Sequence, residues 1–267
     1  MLTSTQNPLV KEIKKLHKAK GRREQQLFLL EGTHLLEEAC AVDYPLVTLC
    51  CTPEWQERHQ QLWQEAAHRC QRAEVVSPEV MKAIATTVQP DGVVATAKRC
   101  STPDSVSPQG GPLLTSVGLA LETVQDPGNL GTIIRAAAAA GAERLWLSTD
   151  SVDLDNPKVL RASVGQWFRL PVSVSPDLQQ VVCQCQAQGI QVVATVPSAT
   201  LSYWDIDLRG PTLFLLGNEA AGLRAELASL ADQQVKIPLS PEVESLNVAI
   251  AAALMLYEAQ RQRQNKG

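Results

Sequence analysis

From Gly118 onward the chain alternates between short apolar runs and longer stretches of helical spacing, and that alternation confines it to a layered α/β fold. Strands are expected at Gly118–Val124, Arg144–Ser148, Leu170–Val174, Gln191–Val196, Thr212–Leu216 and Gln234–Ile237. Helices should occupy 130–140, 157–164, 177–187, 223–230 and 245–260. The strands are short and rich in Val and Leu, as parallel strands covered on both faces should be. Interleaved helices supply that cover.

The first hundred residues alternate as well. A basic helix over 7–20 precedes a strand at Leu27–Leu30, a helix over 33–41 and a strand at Leu46–Cys51. A helix over 53–72, a strand at Glu74–Val76, a helix over 78–84 and a strand at Gly92–Ala97 follow. This pattern predicts a small α/β/α sandwich. Between the halves, residues 101–116 (STPDSVSPQGGPLLTS) carry Ser, Pro and Gly without periodicity, which reads as a linker. The expected organisation is therefore a domain over 1–100, a linker over 101–116 and a domain over 117–267.

Charge is unevenly placed. The overall net charge is −4, yet residues 1–24 hold seven basic and two acidic residues, a net of +5 that leaves −9 for the remainder. A concentrated basic arm can bind a polyanion despite an acidic body. Asn7, Lys11, Lys14, Lys15, Lys18, Arg22 and Arg23 are the candidate contacts for such a polyanion. A solvated helix face is the alternative reading of the same residues.

Other classes are disfavoured. The longest apolar run, Val248 to Tyr257, is about half a membrane span, and the N-terminus lacks the pattern of a secretory signal. The expectation is a soluble, cytoplasmic protein. Seven cysteines without a C-x-x-C pair suit reduced thiols, and no Cys/His spacing suggests a metal site. All four histidines precede residue 69, so chemistry in the second half cannot draw on its own imidazoles. The first strand of that half ends in Glu122-Thr123-Val124-Gln125-Asp126-Pro127-Gly128-Asn129, with no G-x-G-x-x-G. The run Gly217–Gly222 continues into Leu223-Arg224 rather than the Lys and hydroxyl of a phosphate loop.

Three polar loops remain, each at a strand end. In Asp126–Arg135, Pro and Gly turn the chain, Asn129 is suited to cap the next helix, and Arg135 lies about a turn and a half inside it. A capped helix with a solvent arginine is the alternative. In Leu215–Leu223 a buried strand runs into Gly217-Asn218-Glu219, whose carboxylate could equally serve a helix N-terminus. In Ile237–Val248 two prolines extend the loop, Ser245 is a plausible N-cap, and Asn247 falls in the first turn with its amide free for a ligand.

Together these loops resemble the SpoU, or TrmH-like, family of RNA ribose methyltransferases in the SPOUT superfamily. The matching residues are Asn129, Gly131 and Arg135, then Gly217-Asn218-Glu219 with Gly222-Leu223, then Ser245-Leu246-Asn247-Val248 after an Ile-Pro. Asn156-Pro157-Lys158 with Arg161-Ala162-Ser163 and Gly165 resembles the segment between them. More weakly, Ser4–Lys11 and Leu29–Gly32 resemble the family's N-terminal substrate-binding domain.

The resemblance implies a knotted SPOUT domain, with a deep trefoil knot in its parallel sheet, behind a small α/β/α RNA-binding domain. It also implies a homodimer and S-adenosylmethionine-dependent methylation of a ribose 2'-hydroxyl in structured RNA, ribosomal RNA being favoured over transfer RNA. Bends at Gly217, Asn218, Ile237, Leu239, Leu246 and Asn247 would hold the donor, backbone near Gly217, Ile237 and Leu246 gripping its adenine side. Arg135 would stabilise charge on the reacting oxygen and clamp the adjoining phosphate, oriented by Asn129. Glu219, Ser245 and Asn247 would organise the pocket, and no metal is required. A non-catalytic ribosome-assembly protein with this fold and a small-molecule enzyme are the competing readings.

Overall fold

The computed structural model describes residues 1–99 and 112–264, which fall into two compact units. The first joins residues 1–99 to Asp153–Phe168, and the second joins 112–152 to 169–264.

In the first unit the elements are α1 (Pro8–Lys15), α2 (Ala19–Gln25), β1 (Leu27–Glu31), α3 (Thr33–Ala41), β2 (Leu46–Cys51), α4 (Pro53–Arg58), α5 (Gln60–Arg69), β3 (Arg72–Val75), α6 (Pro78–Ile84) and β4 (Val93–Lys98). Its sheet runs β1-β4-β2-β3, with β4 antiparallel to both neighbours and β2 parallel to β3. Side chains alternate across it. Phe28, Leu30 and Leu49 meet Leu36 and Trp55 on one face. Leu29, Cys50 and Val94 meet Ile13 and Met81 on the other. Both faces are covered by helices, so the unit is an α/β/α sandwich.

Two expected helices are broken. The basic helix ends at Lys15, and α2 folds back so closely that a Cβ on Gly21 would lie 2.0 Å from the Lys15 carbonyl oxygen. Only glycine tolerates that approach. The helix over 53–72 is interrupted at His59, whose backbone (φ −125, ψ 45) leaves the helical range.

The second unit contains β5 (Val117–Leu121), α7 (Pro127–Ala139), β6 (Arg144–Ser148), β7 (Val172–Ser175), α9 (Leu178–Ala187), β8 (Gln191–Thr195), β9 (Leu201–Ser202), β10 (Thr212–Leu216), α10 (Ala225–Ala228), β11 (Gln233–Lys236) and α11 (Val248–Gln264), while α8 (Pro157–Ser163) lies in the first. Seven strands form one wholly parallel sheet in the order β7-β6-β5-β10-β8-β11-β9. β10 lies inside it and is buried at every position. The order reverses between β5 and β10, and open parallel sheets bind ligands beyond the strand ends at such a point. Of the expected linker, residues 101–111 lie outside the described part, whereas Leu113 and Leu114 belong to the core of this unit.

Residues 153–168 depart from the linear domain division, and the reason is both apolar and electrostatic. Leu160 joins the core of the first unit, and the Trp167 ring lies 5.1 Å from Phe28. Arg22, only 2% exposed, donates to the Asp153 carboxylate through Nε (3.1 Å) and Nη2 (2.6 Å), and through Nη1 to the Leu16 carbonyl. Arg99 pairs with Asp153 and Asp155. Burial pushes the Asp155 carboxyl above its ordinary range against the pull of Arg99. Arg161 lies 3.2 Å from the buried Glu31 carboxylate.

Candidate active site

Beyond the carboxyl ends of β8, β10 and β11 lies a cavity of about 440 Å³, closed on one side by the start of α11. Gly217, Asn218, Glu219, Ile237, Leu239, Ser245 and Leu246 all line it, with Thr195, Val196 and Pro197 from the end of β8. The last three carry no motif: a Val-rich strand simply ends there, and sequence reading passed over them. The strand order nevertheless seats β8 between β10 and β11, so its end must face the same space.

The loop after β10 closes on itself. Asn218 and Gly222 exchange backbone hydrogen bonds (3.0 and 2.9 Å), and a Cβ on Gly217 would fall 2.1 Å from Gly222 carbonyl carbon. Glycine at 217 is therefore a packing requirement. The Asn218 side chain accepts from the amides of Ala220 and Ala221 and donates to the Thr123 carbonyl oxygen. Beside this loop, buried Glu122 accepts from the backbone amide and guanidinium of Arg224.

Glu219 connects this loop to the one after β5. Its carboxylate accepts from the backbone amides of Gln125 (3.2 Å) and Asp126 (3.1 Å) and from the Asn129 side chain (3.1 Å). Burial alone would raise its pKa, but these donors outweigh it and hold the carboxyl below its usual range. Asn129 in turn accepts from the Asn247 side chain at 2.9 Å. One hydrogen-bonded chain, Glu219–Asn129–Asn247, thus gathers all three polar loops.

Three expected roles change. Asp126, not Asn129, caps α7, because Pro127 opens the helix and the Asp126 carboxylate accepts from the Asn129 amide. Asn247, not Ser245, caps α11, accepting from the amides of Ala249 and Ile250. Its side chain is therefore not free, since the other end binds Asn129. No hydrogen bond joins Asn129 to Arg135. Arg135 is exposed, has no hydrogen-bond or ion-pair partner among the described residues, and does not line the cavity.

In the first unit Lys11, Lys14, Lys15, Lys18 and Arg23 are exposed. Arg22 is buried against Asp153 and cannot contact a nucleic acid. Asn7 caps α1 by accepting from the Leu9 amide. Among the described residues no group of His, Cys, Asp and Glu could hold a metal ion, and no helix is long and apolar enough to cross a membrane.

Comparison with known proteins bears directly on this geometry. The model of the SpoU rRNA Methylase family matches residues 116–257, the stretch that contains every loop of the cavity. The chain belongs to the SpoU rRNA methylase family. Residues 7–95 match the MRM3-like substrate binding domain. A Synechocystis protein described as an uncharacterized tRNA/rRNA methyltransferase is 47% identical over 98% of this chain and 94% of its own. The 23S rRNA (guanosine(2553)-2'-O)-methyltransferase RlmP of Bacillus subtilis is 33% identical over 96% and 97% of the two chains. Among solved structures, an AdoMet-bound rRNA methyltransferase from Sinorhizobium meliloti superposes with a TM-score of 0.86 at 34% identity, covering 97% of each chain. The SpoU methyltransferase AviRb from Streptomyces viridochromogenes, in complex with AdoMet, gives 0.85 at 28% identity, covering 97% of this chain and 99% of its own.

Proposed function

We propose that this protein methylates a ribose 2'-hydroxyl of ribosomal RNA with S-adenosylmethionine held in the cavity beyond β8, β10 and β11. The observation that carries the reading is the Glu219–Asn129–Asn247 chain, which ties together the three family loops, two of which line the cavity. Its volume, about 440 Å³, lies within the ordinary range for small-molecule sites. Leu216, Ile237, Leu239 and Leu246 give it apolar walls suited to a purine and a thioether, and the tight 217–222 turn brings backbone close to any occupant. The donor supplies a sulfonium-activated methyl group, so no metal is needed to prepare the leaving group.

The remaining task falls to the chain. The ribose hydroxyl is a weak acid and gains negative charge as it attacks. Arg135 is assigned to stabilise that charge and to clamp the adjoining phosphate, because a guanidinium is a poor proton acceptor at neutral pH. Glu219, Asn129 and Asn247 hold the loops in place, and Ser245 stands at the cavity wall. Lys11, Lys14, Lys15, Lys18 and Arg23 of the first unit are assigned to the RNA backbone.

The same reading includes a cytoplasmic enzyme, the family's trefoil knot and a homodimer. Ile250 (51% exposed) and Tyr257 (49%) lie one heptad apart on α11, an apolar stripe that a second copy would cover. The deciding experiment is transfer of labelled methyl to ribosomal RNA, with the product mapped to a 2'-O-methyl nucleotide. Arg135→Ala should abolish transfer and leave donor binding nearly intact. Label on a base, or equal loss of binding and transfer in that variant, would remove the assignment.

A further inference from the structure

Among the described residues four non-glycines have a positive φ: Gln26, Asp43, Thr123 and Val164. Gln26, Asp43 and Val164 each follow the end of a helix, where a left-handed residue commonly closes the last turn. Thr123 (φ +56) is different. It follows β5, and its branched Cβ makes the left-handed region costly. Something outside its own backbone must hold it there.

The holder is the turn after β6. The Thr123 amide donates to Ser148 Oγ (2.8 Å) and its hydroxyl to the Asp150 carboxylate (2.8 Å). The Val124 amide donates to Ser151 Oγ (3.1 Å), and the Gln125 side chain donates to the Asp150 carbonyl oxygen (2.7 Å). Asp150 sets the direction of the cluster. An ionised carboxylate only accepts, so the Ser148 hydroxyl donates to it (2.5 Å) and keeps its lone pairs for the Thr123 amide and the Ser151 hydroxyl. That bond also holds the Asp150 carboxyl below its ordinary range. Neither Asp150 nor Thr123 lines the cavity.

The left-handed turn has its effect further along the chain. It sets the Thr123 carbonyl against the Asn218 side chain (2.8 Å) and the amides of Gln125 and Asp126 against Glu219, just before the helix that carries Asn129 and Arg135. We propose that Asp150 is a positioning residue for methyl transfer: by clasping Thr123 it holds the Asn129–Arg135 segment in register with Glu219, from outside the donor cavity. The inference rests on the function proposed above.

Methyl transfer to ribosomal RNA and amide exchange at Gln125 and Asp126 are measured on wild type, Asp150→Ala, Thr123→Gly and the double variant. Asp150→Ala should lower kcat about tenfold, the population equivalent of the left-handed strain, with donor affinity within about threefold of wild type and faster exchange at both amides. Glycine takes a positive φ freely, so Thr123→Gly should be near wild type and should restore the Asp150→Ala chain to within about threefold. A merely structural carboxylate would gain nothing from that second substitution. Should Asp150→Ala fail to fold, Thr123→Val, which keeps the shape and Asp150 but loses the hydroxyl, should show the same loss. Full activity in Asp150→Ala or Thr123→Val, unchanged exchange, or a loss that Thr123→Gly leaves unrepaired overturns the inference while the proposed function stands. If wild type transfers no methyl to ribosomal RNA, the proposed function falls and the inference with it.

Discussion

Asn129 and Asn247 lie 118 positions apart, yet their side-chain amides share a 2.9 Å hydrogen bond. The other end of Asn129 binds Glu219, so a single amide side chain is common to three loops. Each loop end is fixed from a different direction: by the cap of α7, by the cap of α11, and by the closed turn after β10.

Replacing Asn129 by Asp keeps the shape but removes the donor and sets a second carboxylate against Glu219. Loss of the donor at a charged acceptor should cost about 1–3 kcal/mol, with like-charge repulsion added. The expected result is a lower melting temperature and weaker donor binding, both read on the same preparation. A variant as stable as wild type would show that the three loops do not depend on this residue.

The two glycines of the turn should respond differently. At Gly217 a methyl group would overlap the Gly222–Leu223 backbone, so Gly217→Ala should open the turn and abolish donor binding. Gly222 has φ +72 but open space around its Cβ position, so Gly222→Ala meets only the left-handed strain of about 1–2 kcal/mol. Calorimetric titration of both variants orders them. Equal affinities would contradict the packing described for this turn.

Arg22 and Lys14 are neighbours in the basic segment with opposite duties. Arg22→Ala empties a buried site and leaves the half-buried Asp153 with Arg99 as its remaining partner, and should destabilise the protein by about 3 kcal/mol, measured by denaturant unfolding. Lys14→Ala with Lys15→Ala should leave stability unchanged while lowering RNA affinity and flattening its salt dependence. The reverse pattern would reassign both sites.

The Glu219 carboxyl is held below its ordinary value of 4.5 in the folded protein. Its contribution to loop stability is thus present in full above pH 4.5 and is lost as the pH falls through the lower folded value. Amide exchange at Gln125 and Asp126 should stay constant from neutral pH to about pH 5, relative to the intrinsic rate, and accelerate only below it. Acceleration near pH 6 would implicate some other group.

Much of this site was legible in the sequence because strand ends in a parallel sheet are local events. The run of apolar residues in Thr212–Leu216 stops at Gly217, and the turn follows from the residues there. What stayed hidden depended on distant partners. Arg22 reads as one more cation on a basic helix, since its acceptor, Asp153, is 131 positions away. Asp126 and Asn129 are both good caps within one short run, and Asn247 competes with Ser245 in the same way; tertiary contacts decided between them. The two-residue strand β9 is too short to show any periodicity.

The chain passes from one unit to the other three times, because residues 153–168 return to the first before the sheet of the second is complete. A single proteolytic nick in 101–111 would leave the two halves still joined by an embedded peptide. Expressing 112–267 alone would strand Leu160, Trp167 and Phe168 in solvent, while 1–99 alone would have an unfilled groove where they pack and two arginines without their carboxylates. A cut at 101–111 therefore does not separate the two compact units, because the core of the first is completed by residues 153–168, which lie between two strands of the second.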